Sequence, residues 1–195
     1  MEKAEIILGV ISITALLLNL IIIPESSFLI VLSLSALSVF YMVLSVILFN
    51  DIRIIEILKN ESFKRVSSMR LVGSILLGFT LSMTIFGLLF KVQFWPEPNV
   101  KLGTGLFGLL IALIVGYIKY SKTKSAYYTK IFKRIAVYGG FGLILMLMPR
   151  ETLLEIKHRN HPEYVEAVKK AMNEPDNQEL WEKVEDKRQK INEEN

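Results

Sequence analysis

Five apolar stretches, none broken by Asp, Glu, Lys, Arg or His, alternate with short charged segments along the first three-quarters of the chain. Runs of that length and purity are stable only where a bilayer replaces water, so the pattern predicts membrane-crossing helices. The predicted spans are residues 6–23, 27–49, 71–90, 102–118 and 131–148. The fold class is therefore all-α: a polytopic transmembrane helical bundle over 1–149, with a short polar helical C-terminal tail over 150–195.

Ile6 to Ile23 makes about 27 Å of helix, which just crosses a hydrocarbon core, and Pro24 ends it. The segment before it is close to neutral, and Pro24-Glu25-Ser26-Ser27 lacks a small-x-small cleavage site, so this reads as a retained first helix. The fifth segment is the ambiguous one. Its uncharged part, Ile135 to Met148, reaches only about 21 Å. It spans if Ile131 and Phe132 extend it while Lys133 and Arg134 snorkel to the headgroups; otherwise it is re-entrant or interfacial and the crossings number four.

Charge orients the bundle. Up to Pro149 there are 14 Lys and Arg against 7 Asp and Glu, and from Arg150 onward 9 against 12, so the basic excess belongs to membrane flanks. The loop 50–70 carries five cations and the loop 119–134 six, whereas the alternate loops carry none (24–26) or two at the membrane edge (Lys91 and Lys101). The positive-inside rule then predicts a cytoplasmic N-terminus, with the tail periplasmic if the fifth segment crosses and cytoplasmic if it does not. Nucleic acid is not an expected partner, because this positive charge has a topogenic explanation. Trp95, Lys119, Lys122, Lys124, Tyr127, Tyr128, Lys130, Lys133 and Arg134 are the predicted membrane-interface residues, the cytoplasmic cations meeting anionic lipid headgroups. Residues 51–66 mix apolar and charged positions in a way that suits a helix lying on the cytoplasmic surface.

The chain has no cysteine, which excludes disulfides, thiolate metal sites and thiol catalysis. With no ionisable group inside the spans, no proton relay or buried catalytic centre is legible either. Small residues are: Ser74, Gly78 and Ser82 recur at four-residue spacing on the third helix, and Thr104, Gly108, Ala112 and Gly116 on the fourth. Because lipid-facing helices gain little hydrophobic attraction, such stripes let backbones approach, and these two are expected to form the packed centre of the fold, with Gly139, Gly140 and Gly142 offering a third surface. Homodimerisation through one stripe is the rival reading. Asn19, Ser33, Ser35, Ser38 and Ser45 read as interhelical hydrogen-bonding groups or, for the serines, as bonding their own helix backbone.

Gly87-Leu88-Leu89-Phe90-Lys91, followed by Phe94-Trp95-Pro96 and a glycine-rich helix, resembles the membrane hairpin of the gliding-motility and type IX secretion protein GldL and its relatives in Bacteroidota. The resemblance implies a hairpin of that type and a bacterial envelope setting. That family's proton-driven motor relies on an acid within its hairpin, and neither 71–90 nor 102–118 contains one, so motor function is not carried over.

The tail reads as two short helices broken at 173–177, with Tyr164, Val168, Met172, Leu180 and Trp181 as the residues expected to contact a partner. Glu155, His158 and His161 have one ligand-like spacing but lack the further ligands of a competent centre, and read as surface residues. No metal, cofactor or catalytic residue is expected. The sequence points to a non-enzymatic integral membrane protein, an accessory or scaffold subunit of a bacterial envelope assembly in the inner membrane, with an envelope protein or a second copy as partner. A small oligomeric transporter or channel, or a membrane enzyme acting on lipid, are the alternatives.

Overall fold

The structure, a computed structural model, describes residues 2–21, 27–53, 55, 66–174 and 176–194. Among them the chain is all-helical: α1 (Glu2–Ile21), α2 (Ser27–Phe49), α3 (Ser68–Val92), α4 (Pro98–Thr123), α5 (Ala126–Leu147), α6 (Arg150–Lys157), α7 (Pro162–Asn173) and α8 (Gln178–Glu194). Three helices are long and apolar enough to cross a membrane, Phe28–Phe49, Ser68–Val92 and Pro98–Thr123. Helices α5 and α6 count as a fourth span if taken together, although they bend by 100° at Pro149. The predicted surface helix over 51–66 lies mostly outside the described residues.

Helix α3 is the centre of the bundle: 61% of its apolar window is buried, against 22% for α4. It packs small residues on two opposite faces. On one, Gly78 lies so close to α2 that a Cβ there would come within 2.6 Å of the Tyr41 carbonyl oxygen and 2.2 Å of the Ser45 hydroxyl. Ser82 meets the Ser38 hydroxyl at 2.8 Å, and Ser74 accepts from Asn50 Nδ2 at 2.9 Å. On the other face, Gly105 of α4 sits against Thr84, Gly108 against Thr80, and Gly87 against Leu102. The expected pairing of the two stripes with each other is thus corrected. Ser74, Gly78 and Ser82 face α2, because at 100° per residue Thr80, Thr84 and Gly87 fall on the far side of the helix from them.

The α4 stripe is corrected in the same way. A four-residue repeat drifts 40° per step, so over Thr104 to Gly116 it leaves the contact face. Thr104 is exposed and bonds its own helix at the Val100 carbonyl, 2.8 Å away. Gly108 touches α3, Ala112 packs against the core, and Gly116 is covered by Phe132 of α5. Of the α5 glycines, a Cβ at Gly142 would meet Thr84, Leu102 and Leu106, whereas one at Gly140 would meet no other part of the protein within 4 Å.

Helix α5 begins well before the expected position. Ser125 caps it by accepting from the Tyr127 amide, and it passes through a single π-helical stretch, Ile135–Gly139, before Pro149 stops it. At about 1.5 Å per residue the whole helix extends about 33 Å. Instead of two tail helices there are three. Leu153 and Leu154 of α6 are buried, and α7 and α8 form an antiparallel hairpin beyond it, joined by the Glu163–Lys187 ion pair.

Candidate functional site

The only described carboxylate held inside the bundle is Glu5, one residue before the predicted first span and 6% exposed. Two helices, α2 and α5, bring its partners. Arg134, where α5 turns π-helical, grips the carboxylate with two nitrogens, Nε to Oε1 at 2.5 Å and Nη2 to Oε2, while its Nη1 donates to the Lys130 carbonyl at 3.0 Å. The Tyr41 hydroxyl of α2 donates to Glu5 Oε1. Tyr138, inside the π stretch, packs edge-on against Tyr41 with ring centroids 5.3 Å apart, its hydroxyl beside Gly9. The guanidinium also lies 5.2 Å from the Phe49 ring centroid.

A second layer lies outside this one. Lys130 bridges Glu2 at 2.9 Å and Asp51 at 2.6 Å, so α1, the end of α2 and the start of α5 are held together by five charges. The bidentate grip is the geometry in which a guanidinium best compensates a buried carboxylate. What the arrangement does chemically is neutralise charge at a helix junction. Below it, Ser12 lines a cavity of about 20 Å3 together with Gly9 and Tyr138, and its buried hydroxyl has no hydrogen-bond partner. Glu5, Ser12 and Asn19 recur every seven residues, forming a buried polar line along α1.

The predicted interface residues divide accordingly. Lys119, Lys122, Lys124 and Lys133 are exposed, and Lys124 lies over the Tyr120 ring. Lys130 and Arg134 are instead spent on the ion pairs. Tyr127 is buried, its hydroxyl 3.0 Å from Ser74 and its ring under Arg70; Tyr128 is half-buried and Trp95 is 37% exposed. The role of Glu5, Tyr41 and Tyr138 went unread in the sequence. The signal that was available is the seven-residue polar repeat on α1.

In the tail, Tyr164, Val168, Met172 and Leu180 are half-buried where α7 meets its neighbours, and Trp181 is 42% exposed. Glu155 pairs with Lys169, and the His158 ring packs at a tilt against Tyr164 with centroids 4.7 Å apart. Among the described residues no three His, Asp or Glu side chains are placed to hold a metal ion. Glu155 and His158 border a shallow depression with Arg159 and Lys169, which does not include Lys91.

Burial, with the charges of Lys157, His161 and Arg188, pushes the His158 imidazole down to about 4. A histidine whose folded value lies below its free value of about 6.5 binds fewer protons folded than unfolded. Stability from this joint is therefore complete above about pH 6.5 and is lost as pH falls toward 4. Amide exchange should show α7 losing protection at pH 4.5 relative to pH 7.5, with α3 unchanged, and His158→Phe should remove that difference. An equal pH response in the variant would assign it to other groups.

Three to four helices able to span a bilayer, packed around α3, make this a multi-pass helical membrane protein. No protein-family model, curated protein or solved structure matches the chain.

Proposed function

We propose that this chain is a non-enzymatic membrane protein, an accessory or scaffold subunit of a bacterial envelope assembly whose tail contacts a partner. The observation that carries the reading is the closed core. The cavity beside Ser12 holds about 20 Å3, room for one water and far too little for a substrate, and α3 fits against both neighbours at backbone distance. The partner contact is placed on the tail, where Trp181 on α8 is 42% exposed. Aromatic anchors of this kind dominate protein contacts.

The proposed topology has five crossings of the inner membrane, the N-terminus cytoplasmic and the tail periplasmic. Supporting it, the start of α5 is tied to the first turn of α1 through Glu5 and Arg134, while α6, just past the other end of α5, bonds the far end of α3 through Lys157 and the Val92 carbonyl. The chain has no native cysteine, so Lys190→Cys gives a single reporter. A membrane-impermeant maleimide should label it in intact spheroplasts; protection until lysis would put the tail in the cytoplasm and overturn five crossings.

A small oligomeric channel is the second reading, favoured by the buried line of Glu5, Ser12 and Asn19. Proteoliposomes decide between them. The scaffold reading expects potassium and proton leak no faster than in protein-free vesicles, and leak that rises with protein and is altered by Ser12→Ala would replace it with the channel.

A further inference from the structure

At the opposite end of the bundle from Glu5, four cations surround the turn after α3. Lys91 in the last turn of α3 and Lys157 at the end of α6 are the buried pair, 5% and 7% exposed. Lys91 Nζ donates to Asn99 Oδ1 at 3.0 Å, and Lys157 Nζ donates to the Val92 carbonyl at 3.4 Å. Arg150 donates to the Phe94 carbonyl at 3.0 Å, and its guanidinium and the Lys157 ammonium lie 5.7 and 5.5 Å from the Phe94 ring centroid. Lys101 donates to the Pro96 carbonyl at 3.2 Å and sits 4.3 Å from the Phe90 centroid. Phe94 takes a left-handed backbone conformation, φ 58°, unusual for a bulky side chain, at the turn where these groups meet.

These cations differ from Lys130 and Arg134 at the other end in one respect. Lys130 and Arg134 are matched by Glu2, Glu5 and Asp51, but none of Lys91, Lys101, Arg150 and Lys157 forms an ion pair with a described carboxylate. Glu151 acts on Lys91 only from beyond ion-pair distance. An ammonium has three donors, and each of the two buried ones is met by one neutral oxygen. Buried charge left without a counter-charge is unfavourable and calls for an anion.

We propose that this cluster binds the phosphate of an anionic phospholipid headgroup. Lysine point charges beside a forked guanidinium are the donor set that recognises phosphate oxygens. The lipid source follows from position. Lys91 closes an apolar helix able to cross the membrane, Trp95 next to the cluster has the side chain favoured at the headgroup level, and exposed Val100 and Phe107 continue from it down α4 as a path for acyl chains. Burial and the charge of Arg188 push the Lys157 ammonium down to about 8, and a bound phosphate acts in the opposite sense. The inference requires the membrane bundle and is independent of the scaffold reading and of which leaflet is involved.

The test is native mass spectrometry of the full chain in neutral detergent, titrated with phosphatidylglycerol, phosphatidylcholine or inorganic phosphate. One phosphatidylglycerol should be retained in preference to phosphatidylcholine. At about fivefold per cation, Arg150→Gln should weaken it about fivefold and Lys91→Gln with Lys157→Gln about twenty-five-fold. Lys170→Gln with Lys183→Gln, on the tail and paired with Glu166 and Glu179, should leave affinity unchanged. Because Arg150 is exposed, its variant decides the matter even if the double lysine variant does not fold. Equal retention of phosphatidylcholine, equal loss in the Lys170 and Lys183 variant, or full competition by inorganic phosphate at matched concentration would each overturn a lipid headgroup site, the last in favour of free phosphate.

Discussion

Arg134→Met is expected to destabilise the protein by about 3 kcal/mol, the largest effect of any single substitution of a charged residue here. The cost comes from what is left behind. Without the guanidinium, the Glu5 carboxylate remains buried between α1, α2 and α5 with the Tyr41 hydroxyl as its one remaining side-chain donor. A stranded buried charge costs far more than the intact pair contributes, because the pair itself roughly balances its own desolvation. Glu5→Met with Arg134→Met should accordingly recover most of the loss, since apolar groups of similar volume replace both charges. The measurement is reversible unfolding in mixed micelles across the two single variants and the double. If the double variant loses as much as the sum of the singles, the two residues are not coupled and the junction is held by something else.

This junction also explains which parts of the fold were legible in the sequence. Apolar runs marked α2, α3 and α4 within a few residues of their ends, because a helix crossing lipid leaves no polar backbone to hide elsewhere and its composition alone identifies it. The start of α5 was obscured for the opposite reason. Lys130, Lys133 and Arg134 look like a solvated loop when counted as charges, but Glu2, Asp51 and Glu5 neutralise two of them from distant parts of the chain, so the helix runs on from Ala126. No local pattern encodes a partner 129 residues away. Glu5 itself sits at the boundary between a charged terminus and an apolar run, where either side is an equally good reading. Tyr41 and Tyr138 are hidden among apolar neighbours, their hydroxyls meaningful only once a buried carboxylate is known to be near. The π-helical stretch that carries Tyr138 has no sequence signature beyond the adjoining glycines.

The small-residue stripes were visible as residues and misleading as partners, and the second large effect tests the partners directly. Gly78→Ala is expected to cost about 2–3 kcal/mol, whereas Gly140→Ala should be neutral or stabilise by up to about 1 kcal/mol. Both replace a helical glycine, and both gain the same intrinsic helix propensity. What separates them is the space for one methyl. At Gly78 the new Cβ would lie 2.2 Å from the Ser45 Oγ, 2.3 Å from its Cβ and 2.6 Å from the Tyr41 carbonyl oxygen. The serine hydroxyl could rotate away, but a backbone carbonyl cannot, so α2 and α3 must separate along their whole contact. That separation also draws Asn50 off Ser74 and Ser38 off Ser82, the latter a buried hydrogen bond with no water to replace it at this depth. At Gly140 a Cβ meets nothing within 4 Å. Unfolding of both variants in the same micelles gives the comparison. A Gly78→Ala protein as stable as the parent would mean that α3 does not approach α2 at backbone distance, and the central position of α3, on which the closed core depends, would be lost with it.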